Sequence, residues 1–294
     1  MDLIEVLSKY NSQSKCIDYL EDQRWGGRPL CPYCGSDNNS SKKNEFRHKC
    51  NKCKRNFSVT IGTIFESSRL SLPKWFAAIV LIKDAKKGVS SLQLSRHLNI
   101  NKNTAWYLQS RIRHAMEEQL SLSGIVQIDE TFIGGSVTNM HASYVKKKKI
   151  YPGGMEHKTP VLGMIENKGK IILRVIPKAN KETIRPILHD RIGPNSILIT
   201  DGFGPYRTLN KEFDKHVTIN HQKGQKSQGQ YNLSSIEGFW ALLKRAVTGV
   251  YHTISLTHLQ SYMNEIAFKF NHKFDPCMFR TIVDNLLKYK KAFI

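Results

Sequence analysis

Three acids in the sequence, Asp129, Asp201 and Glu237, have the setting that metal-assisted phosphoryl chemistry requires. Asp129 lies in Ile125-Val126-Gln127-Ile128-Asp129-Glu130-Thr131-Phe132-Ile133, a strand-like run that ends at Gly134-Gly135. Asp201 closes a second run, Ser196-Ile197-Leu198-Ile199-Thr200-Asp201-Gly202, and Glu237 opens a helical stretch from about 234 to 247. If the two strands are neighbours, both aspartates reach one edge of a sheet. Carboxylates are natural ligands of Mg²⁺ (or Mn²⁺), and two such ions about 3.5–4 Å apart compensate the attacking and leaving oxygens of a phosphodiester. Water cuts the strand first, and a 3′-hydroxyl then attacks. Asp129 is the candidate to bridge the ions, with Asp201 and Glu237 each completing one site. Glu130 alternates to the opposite strand face and is left out.

The helix carrying Glu237 has a core stripe of Ile236, Phe239, Leu243 and Ala246. Glu237, Trp240 and Lys244 lie on the adjoining face, because seven residues nearly complete two turns. Lys244 therefore looks the same way as Glu237 and is placed to hold a DNA phosphate. Taken singly, a strand-end aspartate caps a turn and a helix-start glutamate complements the dipole. Three acids on the right elements of a basic chain favour chemistry.

A second constellation is Cys31-Pro32-Tyr33-Cys34 and Cys50-Asn51-Lys52-Cys53. Each pair forms a knuckle, and the stretch between is long enough for a hairpin that brings both to one tetrahedral centre. A lone Cys-x-x-Cys would suit a redox pair, but two at this spacing predict structural Zn²⁺ held by Cys31, Cys34, Cys50 and Cys53. Four thiolates leave no open position, so this metal folds a module and does not catalyse. His48 is close to Cys50, but the four cysteines suffice.

Three segments must position these groups. Residues 1–60 carry the zinc ribbon. Residues 61–122 read as helical: Leu72-Pro73-Lys74-Trp75 starts a helix, and Ser91 to Leu98, a turn at Asn99-Ile100-Asn101, and Asn103 to Arg113 have the helix-turn-helix layout. There Asn101, Lys102, Asn103 and Thr104 are placed to reach base edges, with Arg111 further along. Residues 123–294 give strand, hairpin (Pro160–Ile165 and Lys170–Ile176), helix (Lys181–Ile192), strand and helix, the order of a ribonuclease-H-like core. The predicted class is therefore α+β and multidomain, a mixed sheet with flanking helices behind a zinc ribbon and a helical DNA-binding segment. Lys146, Lys147 and Lys148 fall in a basic run that reads as a solvated loop facing DNA.

The charge balance agrees. Lys plus Arg number 45 against 24 Asp plus Glu, a net +21, well beyond the roughly 2–8 charges that solubility needs. Such a surplus predicts a polyanionic partner, double-stranded DNA above all. No apolar stretch approaches the about 20 residues that span a bilayer, and no secretory leader is evident. These features predict a soluble, intracellular protein with no membrane partner.

The sequence also resembles the DDE transposases of insertion sequences that carry an N-terminal zinc ribbon and helix-turn-helix, and it is similar to the eukaryotic Merlin elements. The resemblance rests on the two cysteine pairs, Ile128-Asp129-Glu130-Thr131, Thr200-Asp201-Gly202, Ile236-Glu237-Gly238-Phe239-Trp240-Ala241-Leu242-Leu243-Lys244-Arg245, Gly249-Val250-Tyr251-His252 and Phe268-Lys269-Phe270-Asn271. It implies a ribonuclease-H-like core, Mg²⁺ dependence, recognition of terminal inverted repeats, and strand transfer by a homodimer or larger oligomer on element ends and target DNA. The family's Asp-Asp-Glu-Lys set falls on Asp129, Asp201, Glu237 and Lys244. Relatives often have His-Thr-Asn before the glutamate block, where this chain has Tyr231-Asn232-Leu233-Ser234-Ser235. Asn232 is thus the alternative third ligand, and Glu237 is preferred as the stronger Mg²⁺ ligand. A DNA-binding regulator and a nuclease without strand transfer are the competing functions; intact acids argue against the first, and the DNA-reading segments against the second.

Overall fold

The computed structural model describes residues 1–288, apart from residues 136, 138, 139, 149, 150, 152, 153, 156, 208 and 221–223. The chain divides into two units, Met1–Met116 with Phe274–Ile294, and Glu117–Lys273.

In the first unit, helices α1 (Leu3–Lys9) and α2 (Gln13–Trp25) precede a three-stranded antiparallel sheet of β1 (Asn39–Lys42), β2 (Arg47–Cys50) and β3 (Asn56–Phe57). Three helices follow: α3 (Leu72–Asp84), α4 (Ser91–Leu98) and α5 (Lys102–His114). Proline in the first turn of α3 costs nothing, because its missing N–H has no intrahelical partner there. Ser90 caps α4 by accepting the Gln93 N–H, and α4 ends on Asn99 in the left-handed region, φ 47°. The expected helical pair is thus present, with Leu94 and Leu98 buried. The C-terminal helix Met278–Lys288 also belongs to this unit, whereas the sequence reading grouped it with the strands of residues 123–294. Its stripe of Phe279, Ile282, Val283 and Leu286 is buried, and Phe279 meets the Phe76 ring edge-on at 5.5 Å.

The second unit is built on a mixed five-stranded sheet. Its elements are β4 (Ile125–Ile133), α6 (Ala142–Lys148), β5 (Thr159–Glu166), β6 (Ile171–Val175), α7 (Lys181–Arg191), β7 (Ile197–Asp201) and β8 (Lys215–Ile219). A small hairpin, β9 (Ser227–Gln228) and β10 (Tyr231–Asn232), leads into α8 (Ser234–Ala246) and α9 (Leu256–Asn271). The strand order is β6-β5-β4-β7-β8. Strand β5 is antiparallel to both neighbours, and β4, β7 and β8 run parallel. Alternation sends Val161, Ile165, Leu173 and Ile199 to one face, against Ile236, Phe239 and Leu243 of α8 and Met263 of α9. Val126, Ile128, Leu162 and Leu198 face the other way, against Ile184 and Leu188 of α7. The lysine run is not the expected loop: Lys146–Lys148 closes α6, a helix free of helix-breaking glycine or proline. Among the described residues, no helix is long and apolar enough to cross a membrane.

Candidate active site

The parallel register of β4 and β7 brings the two aspartates together. Gln127 pairs with Ile199, an offset of 199 − 127 = 72, and the same offset carries Asp129 to Asp201 (201 − 129 = 72). Neighbouring strands lie about 4.8 Å apart, and lateral partners in a parallel pair point to the same face. Strand β7 ends at Asp201, so the pair sits where the sheet opens at a strand's carboxyl end, a preferred ligand crevice in sheets with parallel strands. Asp201 is oriented by its own turn, its Oδ1 accepting the Phe203 N–H at 2.9 Å.

Helix α8 lies on this same face. The Ile236 N–H donates to Gln127 Oε1 at 3.1 Å, and the Trp240 indole N–H donates to Asp129 Oδ2 at 2.9 Å. Both acceptors stand on one row of β4, two residues apart. The expected stripe of Ile236, Phe239, Leu243 and Ala246 is buried, and Glu237 and Lys244 are exposed. Burial raises the Asp129 pKa; the indole hydrogen bond and a backbone N–H oppose that, and the negative charges of Asp201 and Glu237 add to it. Asp129 therefore feels the charge of both other acids. Asn232 has a different occupation: its Oδ1 accepts both the Ser234 N–H at 3.1 Å and the Ser234 hydroxyl at 2.6 Å, tying down the start of α8.

Glu130 faces the other side of the sheet, as alternation requires. The buried Tyr206 hydroxyl donates to its Oε1, and desolvation pushes its pKa up to about 8. Burial thus favours the neutral form of Glu130 at the back of the site. In the sequence, Trp240 stands beside Glu237 without a visible partner, and Gln127 and Gly163 carry no assigned role. A polar Gln127 inside the apolar run was the available signal, since a buried amide needs partners.

In the first unit the four cysteines come together from two knuckles. The Cys31 and Cys53 sulfurs are 3.6 Å apart, as are those of Cys34 and Cys50, and all four lie within 4.8 Å of one another. Tetrahedral Zn²⁺ with bonds of about 2.3 Å sets its sulfurs about 3.8 Å apart, so the cluster fits that ion. A backbone N–H from Cys53 holds the Cys50 thiol down to about 6, ready to be a thiolate. His48 is not part of the cluster; its Nε2 meets Glu21 Oε1 at 2.8 Å. Among the described residues the three acids form no group as tight as the cysteines.

The residues expected to touch DNA have mixed settings. Asn101, Lys102, Asn103 and Thr104 are exposed at the start of α5, and Asn101 Oδ1 caps that helix by accepting the Asn103 N–H at 2.8 Å. Arg111 is half-buried, and its Nη1 donates to the Ile64 carbonyl at 3.4 Å. Lys146 is exposed on α6, and the side chains of Lys147 and Lys148 lie outside the described residues.

Two segments match transposase domains of known type. Residues 121–271, just over half of the 294-residue chain, match the ISXO2-like transposase domain, and residues 11–56 match the transposase zinc-ribbon domain. The chain belongs to the ISXO2-like transposase family. It is 25% identical over 252 residues to a protein of the transposable element ISH50 of Halobacterium salinarum, covering 81% of this chain and 84% of that one. Over 105 residues it is 30% identical to a transposase-like protein of Haemophilus influenzae, covering 36% of this chain and 84% of the relative.

Proposed function

We propose that this transposase binds the terminal inverted repeats of its element, cuts the DNA there with divalent metal, and joins the ends to target DNA as a homodimer or larger oligomer. The reading rests on the parallel register of β4 and β7, whose last pair, Gln127 with Ile199, continues toward Asp129 and Asp201, and on the helix bearing Glu237, which bonds to Asp129 through Trp240. Like charges crowded on a half-buried edge suit a divalent cation, and oxygen ligands suit Mg²⁺. Ions held there supply polarisation of the scissile phosphate and a more acidic attacking water. Asp129, Asp201 and Glu237 are the proposed ligands. Exposed Lys244, two turns from Glu237, holds a neighbouring phosphate. Asn232 is set aside as third ligand, because its oxygen already serves the start of α8.

The order β6-β5-β4-β7-β8, with β5 alone reversed, supports a ribonuclease-H-like core. Helices α4 and α5 form the helix-turn-helix, with Lys102, Asn103 and Thr104 toward the bases and Asn101 at the helix cap. Asp201→Asn should abolish Mg²⁺-dependent cleavage of an element end while its dissociation constant for that end stays within severalfold of wild type. Asn232→Ala should keep cleaving. An Asp201→Asn protein that cuts at the wild-type rate would sink the reading.

A further inference from the structure

Three uncharged residues, Trp240, Gly163 and Gln127, bear on the placement of Asp129. The Trp240 indole donates to Asp129 Oδ2 at 2.9 Å. Opposite Asp129 in the antiparallel pair of β4 and β5 stands Gly163, and a Cβ there would meet the Trp240 ring at 2.5 and 2.6 Å. Gln127, two residues before Asp129 on the same face, takes the Ile236 N–H at 3.1 Å. The missing side chain at 163 is thus the space in which the indole lies, and the Gln127 bond fixes the first turn of α8 along β4. Removing either would let Trp240 leave the carboxylate.

We infer that Trp240, seated on Gly163 and held in register by Gln127, is the positioning residue of the acidic site: it fixes the Asp129 carboxylate and sets α8 so that Glu237 faces it. The inference rests on the metal-site reading proposed above. An ionised carboxylate has about four lone-pair positions, so Oδ2 can accept the indole N–H and still present a lone pair to a cation. Trp240 itself touches no metal. Partners of this kind typically change metal affinity or activity by about 10- to 100-fold.

The test measures Mn²⁺ binding to the full chain by the loss of the free-ion EPR signal, with cleavage of an element end read in parallel. Trp240→Phe keeps an aromatic ring on α8 but lacks both the N–H and the outer indole atoms that lie over Gly163. Its Mn²⁺ dissociation constant should rise about 10- to 100-fold, with an unchanged circular dichroism spectrum. Gly163→Ala should weaken Mn²⁺ similarly, and should add little in the Trp240→Phe background, where the clashing indole atoms are gone. Wild-type Mn²⁺ affinity in both Trp240→Phe and Gly163→Ala, with affinity lost in Asp129→Asn, would overturn the positioning role and leave the metal site standing. Undiminished binding in Asp129→Asn would overturn both.

Discussion

Glu130 sits one residue from Asp129 yet has the opposite fate, and the sheet explains why. Its carboxyl points into the layer occupied by Tyr206, where desolvation holds its pKa at about 8, far above the ordinary glutamate range. In the unfolded chain the same group ionises at about 4.3. Between those values the folded state binds the extra proton, so folding stability falls as pH rises from about 4.3 through about 8 and then levels off. Glu130→Gln removes this titration. In Mg²⁺-free buffer the wild-type melting temperature should drop more between pH 5 and pH 9 than that of the variant, with the variant the more stable at pH 9 by up to a few kcal/mol. Parallel curves for the two proteins would show that Glu130 ionises freely in the fold.

At the scale of elements, α9 does more than cover the sheet. Strand β6 is an edge strand, and its outward groups at Ile171, Leu173 and Val175 would otherwise be open to pairing. Asn271 accepts the Ile171 N–H at 2.8 Å and donates to the Ile171 carbonyl at 3.0 Å. Gln260 accepts the Val175 N–H at 2.8 Å and donates to the Leu173 carbonyl at 3.1 Å. The helical spacing of these two amides, about 16 Å, matches the length of the strand they serve, about 14 Å. Asn271→Ala should cost about 1–3 kcal/mol in denaturant unfolding and make the protein prone to aggregate, because two buried backbone groups lose their partners. An unchanged unfolding midpoint would mean that water replaces the amide without loss.

The strands and α8 were legible in the sequence because their patterns are local: alternation in Ile125–Ile133, and a 3.6-residue stripe from Ile236 to Ala246. Both aspartates and the cysteine pairs were legible for the same reason. What escaped was set by distant partners. The Trp240–Asp129 bond joins residues 111 positions apart, and the clamp of Asn271 on Ile171 spans 100. Helix α6 reads as a loop in the sequence because its lysine run sits among glycines and tyrosines. The place of the C-terminal helix in the chain does not reveal its unit, in which Phe279 meets Phe76.

For the whole molecule the governing quantity is the net charge of +21. If that surplus meets DNA phosphates, binding releases counterions, and affinity should fall by about 10³ or more between 50 and 200 mM salt for an interface with 6–10 phosphate contacts. Fluorescence anisotropy on a labelled element end measures this, and a salt-independent affinity would remove DNA as the partner of that charge. At the proposed site, Asp129, Asp201 and Glu237 would share divalent metal. Anomalous diffraction from crystals of the full chain with an element end and Mn²⁺ tests it most directly. Mn²⁺ density should lie at bonding distance, about 2 Å, from carboxylate oxygens of all three acids. Bound Mn²⁺ elsewhere, with Asp129 and Asp201 free of metal at saturating concentration, would contradict it.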